Sequence, residues 1–364
     1  MWRWRWWLWQ RWLRQQPRGR TGMTGLGVRV LRMMFAGAVL MLSGAGMLMA
    51  ADGPLAPEAV RDVLNRSVAL LQKSAATYVE KRDCFSCHHQ GLASVAIAGA
   101  RRAGFAVDAE MTAEQSDFTY EYFHGRSKRV RVGEGVPGGP YNAGYALWGL
   151  HADGRKPDSV TNDLVAYLRT KHRRDGSWRI RTHRPPLEDS HFTATALSLR
   201  GLQFYAGKDG AKDLAERIPR TRKWLLKAEA KTNEDHVFRL LGLVWAGAGK
   251  TDVQRLASEL KAKQRPDGGW SQLPERKGDS YATGQALFAL KAAGMKVGDE
   301  SYQKGCRYLL KTVKSDGSWL VTTRSKAIQK FFDSGFPHEK SQFISICGTC
   351  WATLALLELL PSTR

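Results

Sequence analysis

Cysteine is scarce in this 364-residue chain: Cys84, Cys87, Cys306, Cys347 and Cys350 are all it has. So small and odd a number excludes a fold held by a disulfide framework alone. Strand-like alternation of apolar and polar residues is missing throughout, which excludes a β architecture. No compact stripe of Lys and Arg interleaved with aromatics is found, so the footprint of nucleic-acid recognition is absent. The formal net charge of +22 is therefore read as a solvated basic surface with some attraction to anionic ones. Acid is wholly lacking in the first 50 residues, where eight arginines (Arg3, Arg5, Arg11, Arg14, Arg18, Arg20, Arg29 and Arg32) supply part of that charge; the remainder carries +14.

The opening run MWRWRWWLWQRWLRQ holds six of the 13 tryptophans. It reads either as a cationic amphipathic membrane binder or as sequence upstream of a translation start at Met23, Met33 or Met34. After Met23, Arg29 and Arg32 precede MMFAGAVLMLSGAGMLMAADG, the order of a positive region and an apolar run that marks an export signal. Ala50 and Ala51 offer a cleavage point; left uncleaved, residues 33–51 would anchor the chain in a membrane. The expectation is a leader over 1–51 and a folded domain over 52–364, exported to the periplasm or to the outer face of the membrane.

What the chain has in abundance is a repeat. Six segments share a small, apolar helical pattern, starting at residues 91, 141, 191, 237, 281 and 347. Examples are YNAGYALWGLHADG and YATGQALFALKAAG. They are apolar nearly all round, as helices buried on several sides must be. Each follows a second, amphipathic pattern, over 56–80, 108–123, 157–171, 211–229, 250–263 and 299–313, with apolar residues at three- and four-residue steps. Gly/Asp turns join the two in three units, RRDGSW (Trp178), RPDGGW (Trp270) and KSDGSW (Trp319). Six helix pairs predict one all-α domain, either an open solenoid or a closed ring.

The helix–DGSW–helix unit resembles the QW repeat of squalene-hopene cyclases, and more broadly the terpenoid cyclase and prenyltransferase toroids. The likeness covers roughly residues 56–360, with a degenerate fourth unit, RKWLLKAEAKTNEDH. It implies a single closed (α/α)6 toroid of six helix pairs; activity has to be read from the site. In such a ring the inner helices run parallel and their N-termini share one rim. That rim would gather Cys84, Cys87, His88 and His89, then Tyr141, Asp189, His191, Asp235, His236, Asp279 and Tyr281, and finally Cys347 and Cys350. An aspartate just before a helix is commonly only its cap, and Asp189, Asp235 and Asp279 are each read that way when taken alone.

Squalene-hopene cyclases carry their proton donor in a D-x-D-D-T-A motif. The matching segment DSHFTA has Asp189 but places His191 and Phe192 on the acidic positions, and the parallel DSYATG has Tyr281 and Ala282. Asp189, His191 and Asp279 are the catalytic candidates that remain. Prenyltransferase β-subunits hold zinc with D-x-C, and SICGTCW matches with Cys347 while Ser345 replaces the acid.

CFSCHHQ, residues 84–90, has its own chemistry. Cys84, Cys87 and His88 form the C-x-x-C-H pattern of c-type haem attachment, with His88 on the iron. His191, His236 and His338 are candidates for the second axial position; His89, adjacent to His88, cannot reach the opposite face. The competing readings are a zinc clasp of Cys84, Cys87, Cys347 and Cys350, with His88 as an alternative ligand, or disulfides between those cysteines. Cys306 reads as a buried helix residue. Two long insertions, 124–140 and 320–345, are expected as a mobile Gly/basic loop and as a cover carrying Phe331, Phe332, Phe336 and His338 over the rim. The expected role is redox or ligand binding, with an apolar, isoprenoid-like ligand and a redox partner. A lipid- or protein-binding toroid and a cyclase-type enzyme are the alternatives.

Overall fold

The computed structural model describes residues 55–361 apart from 209, 328 and 329. The expectations for residues 1–51 lie outside them, including the export signal and the anchor at 33–51. No described helix is long and apolar enough to cross a membrane.

Thirteen α-helices are described: α1 (Pro57–Lys81), α2 (Ala93–Arg102), α3 (Ala109–His124), α4 (Ser127–Arg131), α5 (Gly139–Ala152), α6 (Ser159–Lys171), α7 (His191–Tyr205), α8 (Ala211–Lys227), α9 (Asn233–Trp245), α10 (Lys250–Lys261), α11 (Ser280–Ala292), α12 (Glu300–Thr312) and α13 (Gln342–Leu357). A π-turn, Cys87–Leu92, runs directly into α2. The described residues form no strand, only two isolated β-bridges.

The inner helices α2, α5, α7, α9, α11 and α13 neighbour one another in that order, and α13 packs back on α2. The outer helices α1, α3, α6, α8, α10 and α12 fill the grooves outside. The described residues thus form an α/α toroid that closes on itself. The apolar-all-round pattern has its cause here, since an inner helix is covered by two inner neighbours and the outer ring.

The DGSW turns are the joints. Trp178, Trp270 and Trp319 are fully buried, and each indole N–H donates to a carbonyl in the last turn of the preceding outer helix. The acceptors are Leu168 at 2.7 Å, Leu260 at 2.8 Å and Leu309 at 2.8 Å. Each tryptophan backbone N–H donates to a threonine hydroxyl on the following inner helix: Thr195, Thr283 and Thr349. Burying an indole contributes roughly 4–6 kcal/mol of transfer free energy as an upper bound. Each turn glycine has a positive φ, +92° at Gly176, +88° at Gly268 and +83° at Gly317, and lies against the next outer helix. For Gly317 that helix is α1, and Ser67 Oγ donates to its carbonyl at 2.7 Å. The last turn therefore fastens the first outer helix and closes the ring.

Two insertions differ from expectation. Within 124–140 the chain forms the short helix α4. In 320–345 the last inner helix begins at Gln342, preceded by a 3-10 turn, Glu339–Ser341. Gln342 accepts from the Ser334 N–H at 2.8 Å and donates to the Phe332 carbonyl at 2.7 Å, which ties the insertion to the helix start. Cys347 and Cys350 consequently lie inside α13 rather than ahead of it.

Candidate active site at the N-terminal rim

The ring axis is divided by chemistry. Toward the C-terminal ends of the inner helices it is filled by aromatic rings, Trp148 against Trp245, Phe288 and Trp351, with Phe238 beside Trp351. Toward the N-terminal ends it is polar, and its centre is Glu234. This carboxyl is almost wholly buried. Its Oε1 accepts from the Thr193 hydroxyl at 2.7 Å, and its Oε2 accepts from the Tyr281 hydroxyl and the Gln285 amide, both at 2.8 Å. Burial raises its pKa to about 7, with the three donors opposing the rise. At neutral pH it is therefore balanced between acid and carboxylate, the condition for moving a proton in either direction.

Glu234 lies on the wall of a cavity of about 470 Å³ that opens at the rim. Phe192 and Trp224, 4.9 Å apart between ring centres, give the cavity an apolar side. Arg179, Arg324, Asp189, His191 and Asp235 give it a polar one.

The catalytic candidates are distributed around this centre. Asp189 and His191 line the cavity. Asp189 interacts with His183 and does not cap α7, because Ser190 takes that place, accepting from the N–H groups of Phe192 and Thr193. Burial lowers the His191 pKa, so its ring is neutral near pH 7. Asp279 is the N-cap of α11, accepting from the Ala282 N–H at 2.9 Å and the Gln272 amide at 3.0 Å. Burial pushes its carboxyl up to about 6. Asp235 completes a capping box with Thr232 and also accepts from Ser190 Oγ at 2.6 Å. Sequence reasoning passed over Glu234 in favour of Asp235 and His236, the two residues that follow it. The signal was present: in TNEDH the threonine claims the acid three places on, leaving Glu234 free to point inward.

The Cys/His cluster lies where the ring closes. Cys87, His88 and His89 are inside the π-turn, whose first N–H groups, those of His88 and His89, donate to Ser86 Oγ. Cys84 Sγ is 3.3 Å from the Tyr78 hydroxyl, and Cys87 Sγ is 3.5 Å from His88 Nδ1. Burial raises the Cys87 and Cys347 thiols, and each lies close enough to the other, or to its neighbours, to feel their charge. Burial and Arg184 lower the His88 imidazole to about 3. Tyr141 and Tyr145 are buried between this cluster and Glu234, with ring centres 5.0 Å apart. All five cysteines are free thiols. Among the described residues, no three of His, Cys, Asp and Glu converge as metal ligands. His338 is engaged by Ser318 Oγ at 2.8 Å, and His191 by the Ile180 N–H at 3.4 Å. Cys306 and Cys350 are buried in their helices. In the 320–345 insertion, Phe332 packs on Tyr78 and Phe343, and Phe336 is buried while Phe331 is exposed.

Residues 209–312 match the squalene-hopene cyclase N-terminal domain family. Lanosterol synthase erg7A from Aspergillus fumigatus is 34% identical over 115 residues, which is 30% of this chain and 14% of the relative. The chain thus spans a small part of the curated relative that it matches. Among solved structures, a variant of the type II terpene cyclase MstE from Scytonema, in complex with geranylgeranyl dihydroxybenzoate, superposes with a TM-score of 0.51 at 13% identity, covering 84% of this chain and 99% of that one. A second, ligand-free variant of the same cyclase gives 0.51 at 14% identity, covering 84% and 98%. The segment match and the shared architecture show that the described residues have a squalene-hopene cyclase-like α/α fold.

Proposed function

We propose that the rim cavity binds an isoprenoid-like apolar ligand and that Glu234 exchanges a proton with it, making the protein an acid–base enzyme of the terpene cyclase type. The observation that carries this reading is a buried carboxyl of near-neutral pKa on the wall of a cavity of suitable size. The cyclase that shares the fold was crystallised with a geranylgeranyl compound, which supports an isoprenoid chain as the ligand.

The acid strength narrows the reaction. A carboxyl poised near 7 is far too weak to protonate an isolated alkene, but it suits an oxygen lone pair, where the proton meets existing electron density. The substrate is therefore an isoprenoid with a hydroxyl, carbonyl or epoxide group. The chain enters past Phe192 and Trp224, and its oxygen faces Glu234. Tyr281, Gln285 and Thr193 hold the carboxylate once the proton has left.

The test is incubation with isoprenoids of diterpene to triterpene length carrying those groups, read by mass spectrometry and NMR. A cyclised or isomerised product that disappears with Glu234→Gln supports the assignment. Saturable binding without product would make the toroid a lipid-binding protein instead. Neither product nor binding would overturn the reading.

A further inference from the structure

We propose that Cys84, Cys87 and His88 are the attachment site of a c-type haem, with His88 Nε2 as the proximal ligand to iron. The site is separate from Glu234 and does not depend on its chemistry.

The spacing supplies two thiols and one imidazole, and the structure adds observations that point to a ligand. Both thiols are unbridged, and Cys84 is only half-buried. His88 Nδ1 faces Cys87 Sγ at 3.5 Å, whereas Nε2, the nitrogen that would bind iron, is buried with no partner. His89 is wholly buried and stacks on Tyr78 with ring centres 4.6 Å apart, and neither of its ring nitrogens has a partner. A buried polar atom left unpaired costs roughly 1–3 kcal/mol. Three such nitrogens on adjacent residues mark a place built for something more.

The surroundings suit a flat apolar ring with acidic side chains. Tyr78 and Phe343 lie beside His88, at 6.3 Å and 5.4 Å between ring centres. Phe332 closes over Tyr78 at 5.8 Å, with the Arg82 guanidinium 3.9 Å above its own ring. Arg82 Nε is buried without a partner, and Arg184 is close enough to His88 to act on its charge. Arg82 beside this aromatic wall complements a propionate of a porphyrin, while Arg184 is already paired with Glu188. The ligand count separates haem from zinc. A structural zinc requires four converging donors, and among the described residues not even three converge. Haem iron needs one protein ligand on this side.

Attachment balances without an oxidant. Each thiol adds across one haem vinyl group: the S–H bond and the C=C π bond break, sulfur bonds to the carbon next to the ring, and the hydrogen goes to the outer carbon. Nothing leaves, so the chain gains the mass of intact haem b. The reaction belongs to the exported setting expected from residues 29–51.

The experiment is to produce the full chain with its own leader in a host that matures c-type cytochromes. A known cytochrome in the same cells serves as control. Intact mass, denaturing-gel haem staining and the pyridine haemochrome spectrum are then measured. The expected result is one haem that survives denaturation, with a spectrum showing both vinyls saturated. Cys84→Ser should keep one thioether and shift the spectrum toward a single free vinyl. His88→Met should retain attachment while changing the iron's axial spectrum, and Glu234→Gln should load haem as well as the parent. A loaded control cytochrome beside a haem-free, folded parent chain would overturn the proposal. So would one zinc per chain, or a Cys84–Cys87 disulfide, in that haem-free protein.

Discussion

Closure of the ring rests on a contact that one methyl group should disrupt. Gly317 has φ +83°, and a Cβ placed on it would lie 2.6 Å from Arg66 Cβ, 2.6 Å from the Ser67 backbone nitrogen and 2.7 Å from the Arg66 carbonyl carbon. These are atoms of a helix backbone or fixed to it, so none can rotate away. In Gly317→Ala the left-handed conformation costs roughly 1–2 kcal/mol, and the clash adds about 1–3 kcal/mol. Gly154→Ala is the control, since Gly154 has φ +86° and nothing within 4 Å of the added atom. It should lose only the conformational part. Alanine's smaller unfolded-state entropy applies equally to both variants and cancels in the comparison.

Equilibrium urea unfolding of parent and variants, followed by far-UV circular dichroism, measures the difference. The expected outcome is a larger midpoint shift for Gly317→Ala, at an unchanged slope, by an amount equivalent to about 1–3 kcal/mol. Ser67→Ala, which loses the hydrogen bond across the same joint, should cost about 1 kcal/mol. Equal shifts for Gly317→Ala and Gly154→Ala would refute the idea that the sixth turn bears on α1.

The remaining predictions concern Glu234. Its pKa is raised from 4.5 to about 7, so its contribution is fully favourable below the unfolded value and is lost as pH rises through the folded one. Stability should fall by roughly 3 kcal/mol from this group between about pH 4.5 and 7. Asp279 and Asp153, raised to about 6 and about 7, slope the same way. The Glu234→Gln variant should therefore flatten the profile of unfolding free energy against pH only partly, and an unchanged profile would contradict the buried-acid assignment. Tyr281→Phe removes a donor that favours the carboxylate, and should move the Glu234 midpoint up by about one pH unit.

The ring was legible in the sequence because helix periodicity and the DGSW turns recur at separated places, and any one unit can be checked against the others. Trp178, Trp270 and Trp319 proved equivalent down to the carbonyl that each indole binds. The site was less legible, because it depends on single-residue choices within one turn. Asp189, Asp235 and Glu234 are all acids near a helix start, and only capping geometry decides which is spent on backbone and which faces the axis. Ser190, not Asp189, caps α7. The position of Cys347 was missed for a different reason: Gln342 starts its helix early by bonding to residues eight and ten places back, a contact that no local pattern shows.

The fourth unit explains why the cavity lies where it does. Units three, five and six close with a DGSW turn, and unit four has none. In its place Arg239, from the inner helix α9, reaches back to the end of outer helix α8. Its Nε donates to the Leu225 carbonyl at 2.8 Å and its Nη2 to the Leu226 carbonyl at 2.7 Å. That is the same kind of acceptor, on the last turn of an outer helix, that the indoles of the other units satisfy. Once the guanidinium has taken over this joint, the connector from Ala228 to Thr232 no longer has to carry a tryptophan inward. Ala228, Glu229, Lys231 and Thr232 line the rim cavity instead, with Glu234 on its wall. In this unit the missing turn and the rim cavity therefore fall at the same connector. Arg239→Leu should then destabilise the toroid by roughly 2–4 kcal/mol, as two carbonyls lose a charged donor. Arg239→Lys should recover at most half of that, since a single ammonium cannot span both carbonyls as a planar fork does. Thermal unfolding by calorimetry distinguishes the cases. Full rescue by lysine would show that charge alone, and not the two-pronged replacement of the missing tryptophan, holds the fourth unit in place.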